Sequence, residues 1–455
     1  MSRSRRGREN RAPVIIDCFM FFSELDLLEL RLAELDPVVD RFVIAEAPVT
    51  HAGRPKPLVF ADHRRRFAPW NGKIVHVIVD DMPSGPDAWR RENHQRNAVA
   101  RGLAGASPDD GIIVSDLDEI PSAKAVGRWS ADLGGRAFDQ MCCYYWLNCV
   151  GGGWAGSRIL PYRDFLTYAD ATAVRFAQFP LLSEGGWHFS YLGGAEQIVS
   201  KLEAYAHQDL NQSRFKDTRY LAQVTSLGID LFGRSGVAFR FRPLDEQFPS
   251  VVLANRRKFA HLYRDAMFHE DWYPDDQILR LTGFVERVRR LTGAVVEIGC
   301  WEGKSTIALA NAWYPEQVLA VDTWQGSLDE SPSHATVVIA TQRDVYSQFL
   351  ANVQLLTKGN VTPVRQDCHA WLEGWGQPLK FVHIDASHDY RSVSRTIAAC
   401  LPRLVPGGVL CGDDFQSADL TRRDLDGGVE RAVRELLPGF EQVHNLWIWQ
   451  QSGGG

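Results

Sequence analysis

The sequence predicts an α/β protein with two domains, because both halves of the chain repeat one arrangement, a short apolar run that ends in polar or acidic residues. In the first half, residues 112–114 are apolar and Asp116 follows. In the second half, residues 294–298 lead into a glycine-rich turn, and residues 318–321 end in Asp322. Such runs are typical of parallel strands that are buried on both faces. Ligands bind at the carboxyl ends of these strands, so each half is expected to carry its own site.

The composition is that of a globular protein and excludes several classes. The chain has 455 residues, too many for one hydrophobic core, and 45% of them are hydrophobic and 23% charged. A net charge of −6 argues against a nucleic-acid partner. The sequence lacks a transmembrane run, and no apolar segment of a secretory signal follows the basic residues 1–12. With eight scattered cysteines, read as reduced, we expect a cytoplasmic protein.

Residues 111–121, GIIVSDLDEIP, place three carboxylates within four positions after an apolar run. Alternation along an extended chain puts Asp116 and Asp118 on the same side. Oxygen ligands of this kind hold hard divalent cations, and such a cation commonly bridges a protein to a diphosphate. The alternative is an acidic turn, which includes Glu119 and caps the next helix.

Further segments accompany this motif in a fixed order along the first half. They are residues 17–60 (beginning DCFMFFSELDLLELR), 73–81 (KIVHVIVDD), 88–103 (AWRRENHQRNAVARGL) and 186–194 (GWHFSYLGG). Together they resemble glycosyltransferase family 17 over about residues 17–211. The resemblance implies a GT-A-like domain that transfers a sugar with inversion. In the family this sugar is N-acetylglucosamine from a uridine diphosphate donor, and the acceptor is a hydroxyl group.

The resemblance also implies roles for individual residues. It places Mn²⁺ or Mg²⁺ on Asp116 and Asp118 beside the donor, and His188 matches the position of a late metal ligand. An imidazole can complete an oxygen-rich site, although a histidine here could also serve in packing. Arg90 and Arg96 lie in a predicted helix, where either could pair with the donor diphosphate or form part of a solvated basic face.

Three further acids are candidates in the first half. Glu46 follows the apolar residues 42–45 and could reach the nucleoside or cap the next loop. An inverting transfer needs a carboxylate base at the acceptor hydroxyl, and Glu184 and Glu196, which flank His188, are the candidates. The alternatives are a surface-loop acid for the first and an acid in the first turn of a helix for the second.

The second half begins near residue 268, where an amphipathic stretch follows the family-17 segments. Residues 295–305, VVEIGCWEGKS, read as a strand, a glycine turn and the start of a helix. The G-x-x-x-G spacing departs from the G-x-G-x-x-G of dinucleotide-binding folds. It resembles motif I of class I S-adenosylmethionine methyltransferases, although each glycine alone could mark an ordinary tight turn. The implied cofactor contacts are Glu297, Gly299, Gly303, Ser305 and, through the ribose hydroxyls, Asp322.

Two later strands also end in acids. The run at 381–384 precedes Asp385, and the run at 408–412 precedes Asp413 and Asp414. The intervening helix makes this a βαβ crossover, so the three carboxylates should meet at one edge of a parallel sheet. Because gathered carboxylates repel one another, they predict a divalent cation. The alternative is an acidic rim that caps strands and helices.

The segments EIGCWEGKST, IDASHDY and PGGVLCGDDF carry a second resemblance, over about residues 272–449. It is to methyltransferases that include metal-dependent macrolide-sugar O-methyltransferases. The implied Mg²⁺ ligands are Asp385, Asp413 and Asp414. The implied base is His388 or Asp385, although His388 could instead bond the backbone at a strand end. Residues 366–368 read QDC where many relatives have GDS, which weakens the adenine-side contact expected of Asp367.

We therefore expect a disordered tail (1–12), a GT-A-like glycosyltransferase (13–268) and a Rossmann-like class I methyltransferase (269–451). The predicted enzyme transfers a sugar from a UDP-sugar to a glycan or glycolipid acceptor and methylates a sugar hydroxyl with S-adenosylmethionine. In one alternative, one half is an inactive glycan-binding or dimerising module. In another, the methyltransferase acts on a separate small molecule or nucleotide sugar. A homo-oligomer is compatible with the sequence, which specifies neither the acceptor nor the methylated position.

Overall fold

The computed structural model describes residues 13–270, 272–327, 332–415 and 427–452, and the tail predicted at residues 1–12 lies outside the described residues. The chain divides into two compact units. One comprises the chain up to Lys216 together with Phe232–Arg264, and the other comprises Asp217–Leu231 and the chain from Asp265 onwards. Within the described ranges, no helix combines the length and apolar character needed to cross a bilayer.

The strands are numbered in chain order. The first unit contains β1 (Ile15–Phe21), β2 (Arg41–Glu46), β3 (Ile74–Ile78), β4 (Gly111–Asp116), β5 (Glu119–Pro121), β6 (Arg136–Tyr144), β7 (Cys149–Trp154), β8 (Arg158–Pro161), β9 (Leu181–Ser190) and β10 (Arg240–Phe241). The second unit contains β11 (Ala294–Ile298), β12 (Val318–Asp322), β13 (Val361–Arg365), β14 (Leu379–Ile384), β15 (Leu404–Gly412), β16 (Glu441–Val443) and β17 (Leu446–Gln450).

The helices follow the same numbering. They are α1 (Leu25–Leu35), α2 (Val59–Asp62), α3 (Ala88–Asn97), α4 (Ala123–Gly127), α5 (Tyr162–Phe165), α6 (Ala171–Phe176), α7 (Gly194–Ala204), α8 (Thr218–Leu227), α9 (Ser250–Ala254), α10 (Asp275–Val288), α11 (Lys304–Trp313), α12 (Ala335–Gln342), α13 (Val345–Leu356), α14 (Cys368–Gly374), α15 (Tyr390–Cys400) and α16 (Gly428–Leu436). Short 3₁₀ turns lie at Arg64–Trp70, Ala98–Gly102, Ala131–Leu133, Gln208–Leu210, Ser213–Lys216, Ala260–Leu262 and Leu401–Arg403.

The sheet of the first unit has the order β10-β7-β6-β8-β4-β1-β2-β3, and β9 joins it by pairing with β5 and β6. Strands β4, β1, β2 and β3 are parallel neighbours, so their carboxyl ends share one edge. Most residues of β1 are buried, as expected for a strand that is covered on both faces. Met20 is in register with Asp116. Residues 116–119, which begin at the last residue of β4, are called the acidic loop. The chain that leaves β1 and the acidic loop therefore start at the same edge of the sheet.

The sheet of the second unit has the order β13-β12-β11-β14-β15-β17-β16. Strands β11 to β15 are parallel, whereas β17 runs antiparallel to β15 and β16. The strand order reverses between β11 and β14, which is the position where open α/β sheets bind ligands. These sheets confirm the predicted two-domain α/β class and the Rossmann-like second domain. The GT-A-like character of the first unit stays a prediction.

Helix α8 belongs to the second unit, although the sequence analysis assigns residues 217–231 to the first domain. Leu221 and Val224 are fully buried. Asn311 of α11, 85 residues further on, donates a hydrogen bond to the Ser226 hydroxyl over 2.9 Å. Because these contacts join distant parts of the chain, a change of motif along the sequence cannot reveal them.

Substituting Leu221 by alanine should destabilise the second unit selectively. The side chain is fully buried, so truncation should lower the free energy of unfolding of that unit by about 2–5 kcal/mol. Hydrogen exchange with mass spectrometry should show faster exchange in β11 and β12 and unchanged exchange in β1 and β4. The exposed Leu166→Ala serves as the matched control and should change neither. Faster exchange in β1 and β4 would contradict the assignment of α8.

Candidate active sites

The acidic loop of the first unit is held by one buried guanidinium. Arg31 of α1 donates from Nη1 to the carbonyl oxygens of Asp116 (2.9 Å), Leu117 (3.2 Å) and Glu119 (2.9 Å). The same side chain forms a buried ion pair with Asp17 of β1, at 2.6 and 2.8 Å. The sequence analysis missed Arg31. Its signal was a lone arginine among the leucines of DLLELRL.

Asp116 and Glu119 face basic side chains of the same unit. The Asp116 carboxylate lies 3.1 Å from Arg96 Nη2 and 3.7 Å from Arg175 Nη2. Glu119 is buried, pairs with Arg175 and accepts a hydrogen bond from the Trp154 indole over 2.7 Å. Arg96 thus lies in the site as predicted, but its guanidinium already has an acidic partner. Arg175 was not predicted.

Asp118 pairs with a lysine. Lys201 Nζ of α7 lies 2.6 Å from Asp118 Oδ2, and His188 Nε2 lies 3.8 Å from the same oxygen. The His188 ring stacks on the Trp154 indole with a centroid separation of 4.7 Å. The structure therefore brings Asp116, Asp118 and His188 together, as the sequence predicts, and adds Lys201.

The protein itself compensates the charge of these acids. Burial opposes ionisation of Asp116, but Arg96 and Arg175 outweigh it and hold the pKa of this carboxyl below its ordinary value. For Asp118, burial is likewise outweighed, by Lys201 and then His188, and the pKa is lowered. A divalent cation would have to displace a resident basic partner. In the arrangement described, these residues do not fit the predicted metal site.

The remaining candidates of the first unit lie elsewhere. Arg90 is exposed on α3. Glu46 is fully buried, accepts the Phe60 N–H over 2.9 Å and lies 3.0 Å from His76 Nε2. This set of protein partners indicates a structural role for Glu46 rather than the predicted contact with the nucleoside.

Neither Glu184 nor Glu196 is well placed to act as the base of sugar transfer. Glu184 is 64% exposed and pairs with Lys124 and Arg128 at 3.0 and 3.1 Å. These hydrogen-bonded cations lower the pKa of Glu184, which makes the carboxylate a weaker base. It also precedes His188 by four residues of strand, about 13 Å. Glu196 is exposed in the first turn of α7.

The second unit contains a cavity of about 480 Å³ at the carboxyl edge of β11, β12 and β14. Gly299 has φ +85°, and a Cβ there would lie 1.8 Å from the Asp385 carbonyl oxygen, so only glycine fits. Gly303 also has positive φ, and it precedes α11 as its N-cap. Ser305 of this helix and Asp367, the N-cap of α14, line the cavity as predicted.

Asp322 ends β12 and organises the glycine turn. Its Oδ2 accepts the N–H groups of Cys300 (2.7 Å) and Trp301 (3.0 Å), and its Oδ1 accepts that of Trp324 (2.7 Å). Burial raises the pKa of Asp322 despite these three hydrogen bonds. Each carboxylate oxygen has two lone pairs, so Asp322 retains the capacity to accept a ribose hydroxyl.

Glu297 does not line this cavity, contrary to its predicted contact with the cofactor. It is fully buried, accepts a hydrogen bond from the Thr306 hydroxyl of α11 and lies 3.1 Å from His383 Nδ1 of β14. His383 Nε2 in turn lies 3.3 Å from the Tyr273 hydroxyl. The Glu297 carboxylate thus connects α11 to β14, the strand that precedes Asp385.

The predicted acids of the second unit meet at the floor of the cavity. Ligand atoms of Asp385, His388 and Asp414 lie within 4.8 Å of one another, and His388 Nε2 is 2.8 Å from Asp414 Oδ2. Burial and the carboxylates of Asp413 and Asp414 raise the pKa of Asp385 well above its ordinary value. Burial and Asp414 raise the pKa of Asp413 to about 7. Gathered carboxylates whose pKa values are raised in this way fit a divalent cation.

Asp413 has a different environment from its neighbours. Asn445 donates to it over 3.0 Å, and the Gln277 amide, oriented to satisfy both groups, donates to both its oxygens at 3.0 and 3.1 Å. The sequence analysis predicts Asp385, Asp413 and Asp414 as the metal ligands. In the structure the side chains close enough to share an ion are those of Asp385, His388 and Asp414, so His388 takes the place of Asp413. Asp414 has φ +57°, a left-handed conformation that non-glycine residues seldom adopt and that Asp tolerates better than most.

The paired acids at a strand edge of one unit and the cavity of the other agree with the family models, which match two kinds of transferase. The glycosyltransferase family 17 model matches residues 4–257, and the chain belongs to this family. A methyltransferase-domain model matches residues 296–415. Both resemblances seen in the sequence are thereby confirmed.

The curated relatives of this chain are N-acetylglucosaminyltransferases by name. The β-1,4-mannosyl-glycoprotein 4-β-N-acetylglucosaminyltransferases of Rattus norvegicus and Homo sapiens are each 26% identical over 290 residues, covering 54% of this chain and 54% of each relative. The chain spans about half the length of these curated relatives. Among solved structures, the O-methyltransferase NovP is 18% identical with a TM-score of 0.31, over 39% of this chain and 79% of that one.

Replacing Lys201 by methionine should create a site for Mn²⁺ in the first unit. The substitution removes the cation 2.6 Å from Asp118, so affinity for Mn²⁺ should rise by on the order of tenfold. Calorimetric titration with Mn²⁺ in the Asp414→Asn background isolates this effect from the second unit. Lys124→Met, at an exposed pair with Glu184, is the control and should bind no more Mn²⁺. Unchanged binding by the Lys201 variant would show that this lysine does not compete with a metal.

Proposed function

We propose that the chain is a bifunctional glycan-modifying enzyme, which transfers a sugar in its first unit and methylates a sugar hydroxyl in its second. The observation that carries the proposal is the presence, in each unit, of a carboxylate cluster at the carboxyl edge of parallel strands. Membership of glycosyltransferase family 17 and the methyltransferase-domain match support it. The names of the curated relatives favour N-acetylglucosamine as the sugar and a β-1,4-linked mannosyl glycan as the acceptor.

In the first unit, the donor is a uridine diphosphate sugar bound beside the acidic loop. Arg96, Arg175 and Lys201 are its basic groups in contact with the acids, and they can turn to the phosphate oxygens as the donor binds. Once they have turned to the phosphate oxygens, these three groups would stabilise the negative charge that develops on the leaving diphosphate. The fixed Trp154–His188 stack borders the same loop and limits where the sugar can lie.

In the second unit, S-adenosylmethionine is the proposed cofactor. The turn at Gly299 lets the backbone approach the ligand closely, and Asp322 Oδ1, which accepts only the Trp324 N–H from the part of the chain that the structure describes, can also accept a ribose hydroxyl. Asp367, at the N-terminus of α14, faces the same cavity for an adenine-side contact. The methyl group would then point toward the floor of the cavity, where Asp385 and Asp414 lie.

The proposed acceptor hydroxyl lies at the Asp385–His388–Asp414 cluster, whose side chains would hold Mg²⁺. A bound divalent cation lowers the pKa of a hydroxyl. Asp385 has two carboxylate oxygens, so one can serve as a ligand while the other accepts the hydroxyl proton. His388, 2.8 Å from Asp414, is assigned to the ligand set rather than to proton transfer.

Full-length protein incubated with UDP-N-acetylglucosamine and a β-mannosyl glycan should release glycosylated product, and Asp118→Asn should reduce this transfer by about 10²-fold or more. The variant leaves the Lys201 charge without its partner in the acidic loop. Its methylation of the same glycan by S-adenosylmethionine should be unchanged. Mass spectrometry of the glycan measures both products. Undiminished sugar transfer by Asp118→Asn would contradict the assignment of the site.

Asp414→Asn should have the opposite effect, a loss of methylation with sugar transfer unchanged. The change keeps the side-chain shape but removes one charge from the proposed cation site, so Mg²⁺ affinity and methylation should fall by on the order of 10²-fold. S-adenosylhomocysteine should bind as to wild type, because its contacts are assigned to the Gly299 turn and Asp322. Chelator should inhibit wild-type methylation, and the exposed Glu373→Gln control should behave as wild type. Full methylation in chelator would rule out the cation.

A further inference from the structure

The first unit contains a cavity of about 280 Å³ that adjoins the proposed donor site and shares only Lys201 with its basic groups. Its walls come from residues 22–27, from the segment after β9 and from α7. Its volume is close to the lower end of ligand pockets, about 300 Å³. A cavity of this size suits a single sugar ring.

This cavity adjoins the acidic loop. Lys201 lines the cavity, and its Nζ lies 2.6 Å from Asp118 Oδ2. The β1 and β4 strands are parallel neighbours, with Met20 in register with Asp116, so residues 22–27 leave the sheet at the edge where the acidic loop begins. A ligand in the cavity would therefore lie beside a donor held at the loop.

Two carboxylates line the cavity, and they differ in their partners. Asp26 pairs with Arg66 and with His261 Nε2, the latter at 2.8 Å. Although burial opposes it, these hydrogen bonds lower the pKa of Asp26, so its carboxylate is a poor proton acceptor. Within the described ranges, Glu24 forms no ion pair, and its Oε2 accepts the N–H of Ser23 over 3.0 Å.

A second observation at the same place points to a hydroxyl-bearing ligand. The Ser23 hydroxyl oxygen is buried and has no hydrogen-bond partner among the described residues, and Ser23 lines the cavity. Buried polar atoms nearly always have partners, so an orphaned hydroxyl on a residue that lines a cavity is a candidate contact for a ligand. A sugar hydroxyl can donate to or accept from it.

We propose that this cavity binds the acceptor sugar and that Glu24 is the catalytic base of sugar transfer, a role that rests on the proposed function. The Glu24 carboxylate takes the proton of the acceptor hydroxyl, whose oxygen lone pair forms the new bond to the anomeric carbon. The bond from that carbon to the diphosphate oxygen breaks, and its electron pair leaves with the uridine diphosphate. The products are an inverted glycoside, uridine diphosphate and protonated Glu24.

The test is Glu24→Gln in the full chain, with UDP-N-acetylglucosamine and the β-mannosyl glycan as probes. Loss of a general base should lower kcat for sugar transfer by about 10²–10⁴-fold. Calorimetry should show unchanged affinity for uridine diphosphate, which also reports that the unit is folded. Glu24 does not cap α1 through its side chain, so the amide should not disturb the helix. Ser23→Ala should raise the KM for the glycan several-fold and leave kcat nearly unchanged.

Glu246→Gln, at an exposed acid of the first unit outside the cavity, is the matched control and should transfer sugar as wild type. If wild type transfers sugar and Glu24→Gln does so equally well, the base assignment is wrong and the function stands. If wild type binds no uridine diphosphate sugar and transfers none, both the function and the base assignment are overturned. If Glu24→Gln loses affinity for uridine diphosphate along with transfer, Glu24 belongs to the donor site and the proposal is overturned.

Discussion

Buried carboxylates gathered at strand ends must have their charge compensated, and the two units meet this constraint in opposite ways. In the first unit, basic side chains from α3, α6 and α7 pair with the acids of the loop. The pKa values of Asp116 and Asp118 are lowered as a result. In the second unit, the pKa values of Asp385 and Asp413 are raised, because burial and mutual repulsion outweigh the neighbouring groups that lower them. The proposed phosphate site of the first unit and the proposed cation site of the second follow from this difference.

The acidic loop of the first unit depends on Arg31 for its shape. Removing one partner of a buried ion pair lowers the stability of a protein by about 3–5 kcal/mol, so the Arg31–Asp17 pair holds the Arg31 side chain firmly in position. The same guanidinium donates to the carbonyl oxygens that flank Asp118. Glu297 has the corresponding task in the second unit, where it joins α11 to β14. In both units, a buried ionisable side chain positions the chain that carries the strand-end acids.

The sequence predicted the strand-end acids because their signal is local. Apolar runs before Asp116, Asp322 and Asp385 mark buried strands, and a parallel sheet brings their ends to one edge. The basic partners could not be found in this way. Lys201 lies 83 residues from Asp118 and Arg175 lies 56 residues from Glu119, so only the folded chain brings them together.

The same limit explains the other differences. Glu297 lies one residue before the end of β11, where a cofactor ligand is expected, but its side chain faces α11 and β14 instead of the cavity. Glu24 lies at the start of a helix, where an acid is common for reasons unrelated to function, so the sequence pattern does not indicate a catalytic role for it. Only the cavity beside it distinguishes it from an ordinary helix-start acid.

The central claim is that charge compensation directs a divalent cation to the second unit and away from the first. Anomalous diffraction at the manganese edge from crystals soaked in Mn²⁺ without nucleotide tests it directly. The account predicts a peak between Asp385 and Asp414 and none beside Asp118, where Lys201 is the resident cation. A peak at Asp118 with Lys201 turned away, or no peak at Asp385, would contradict it.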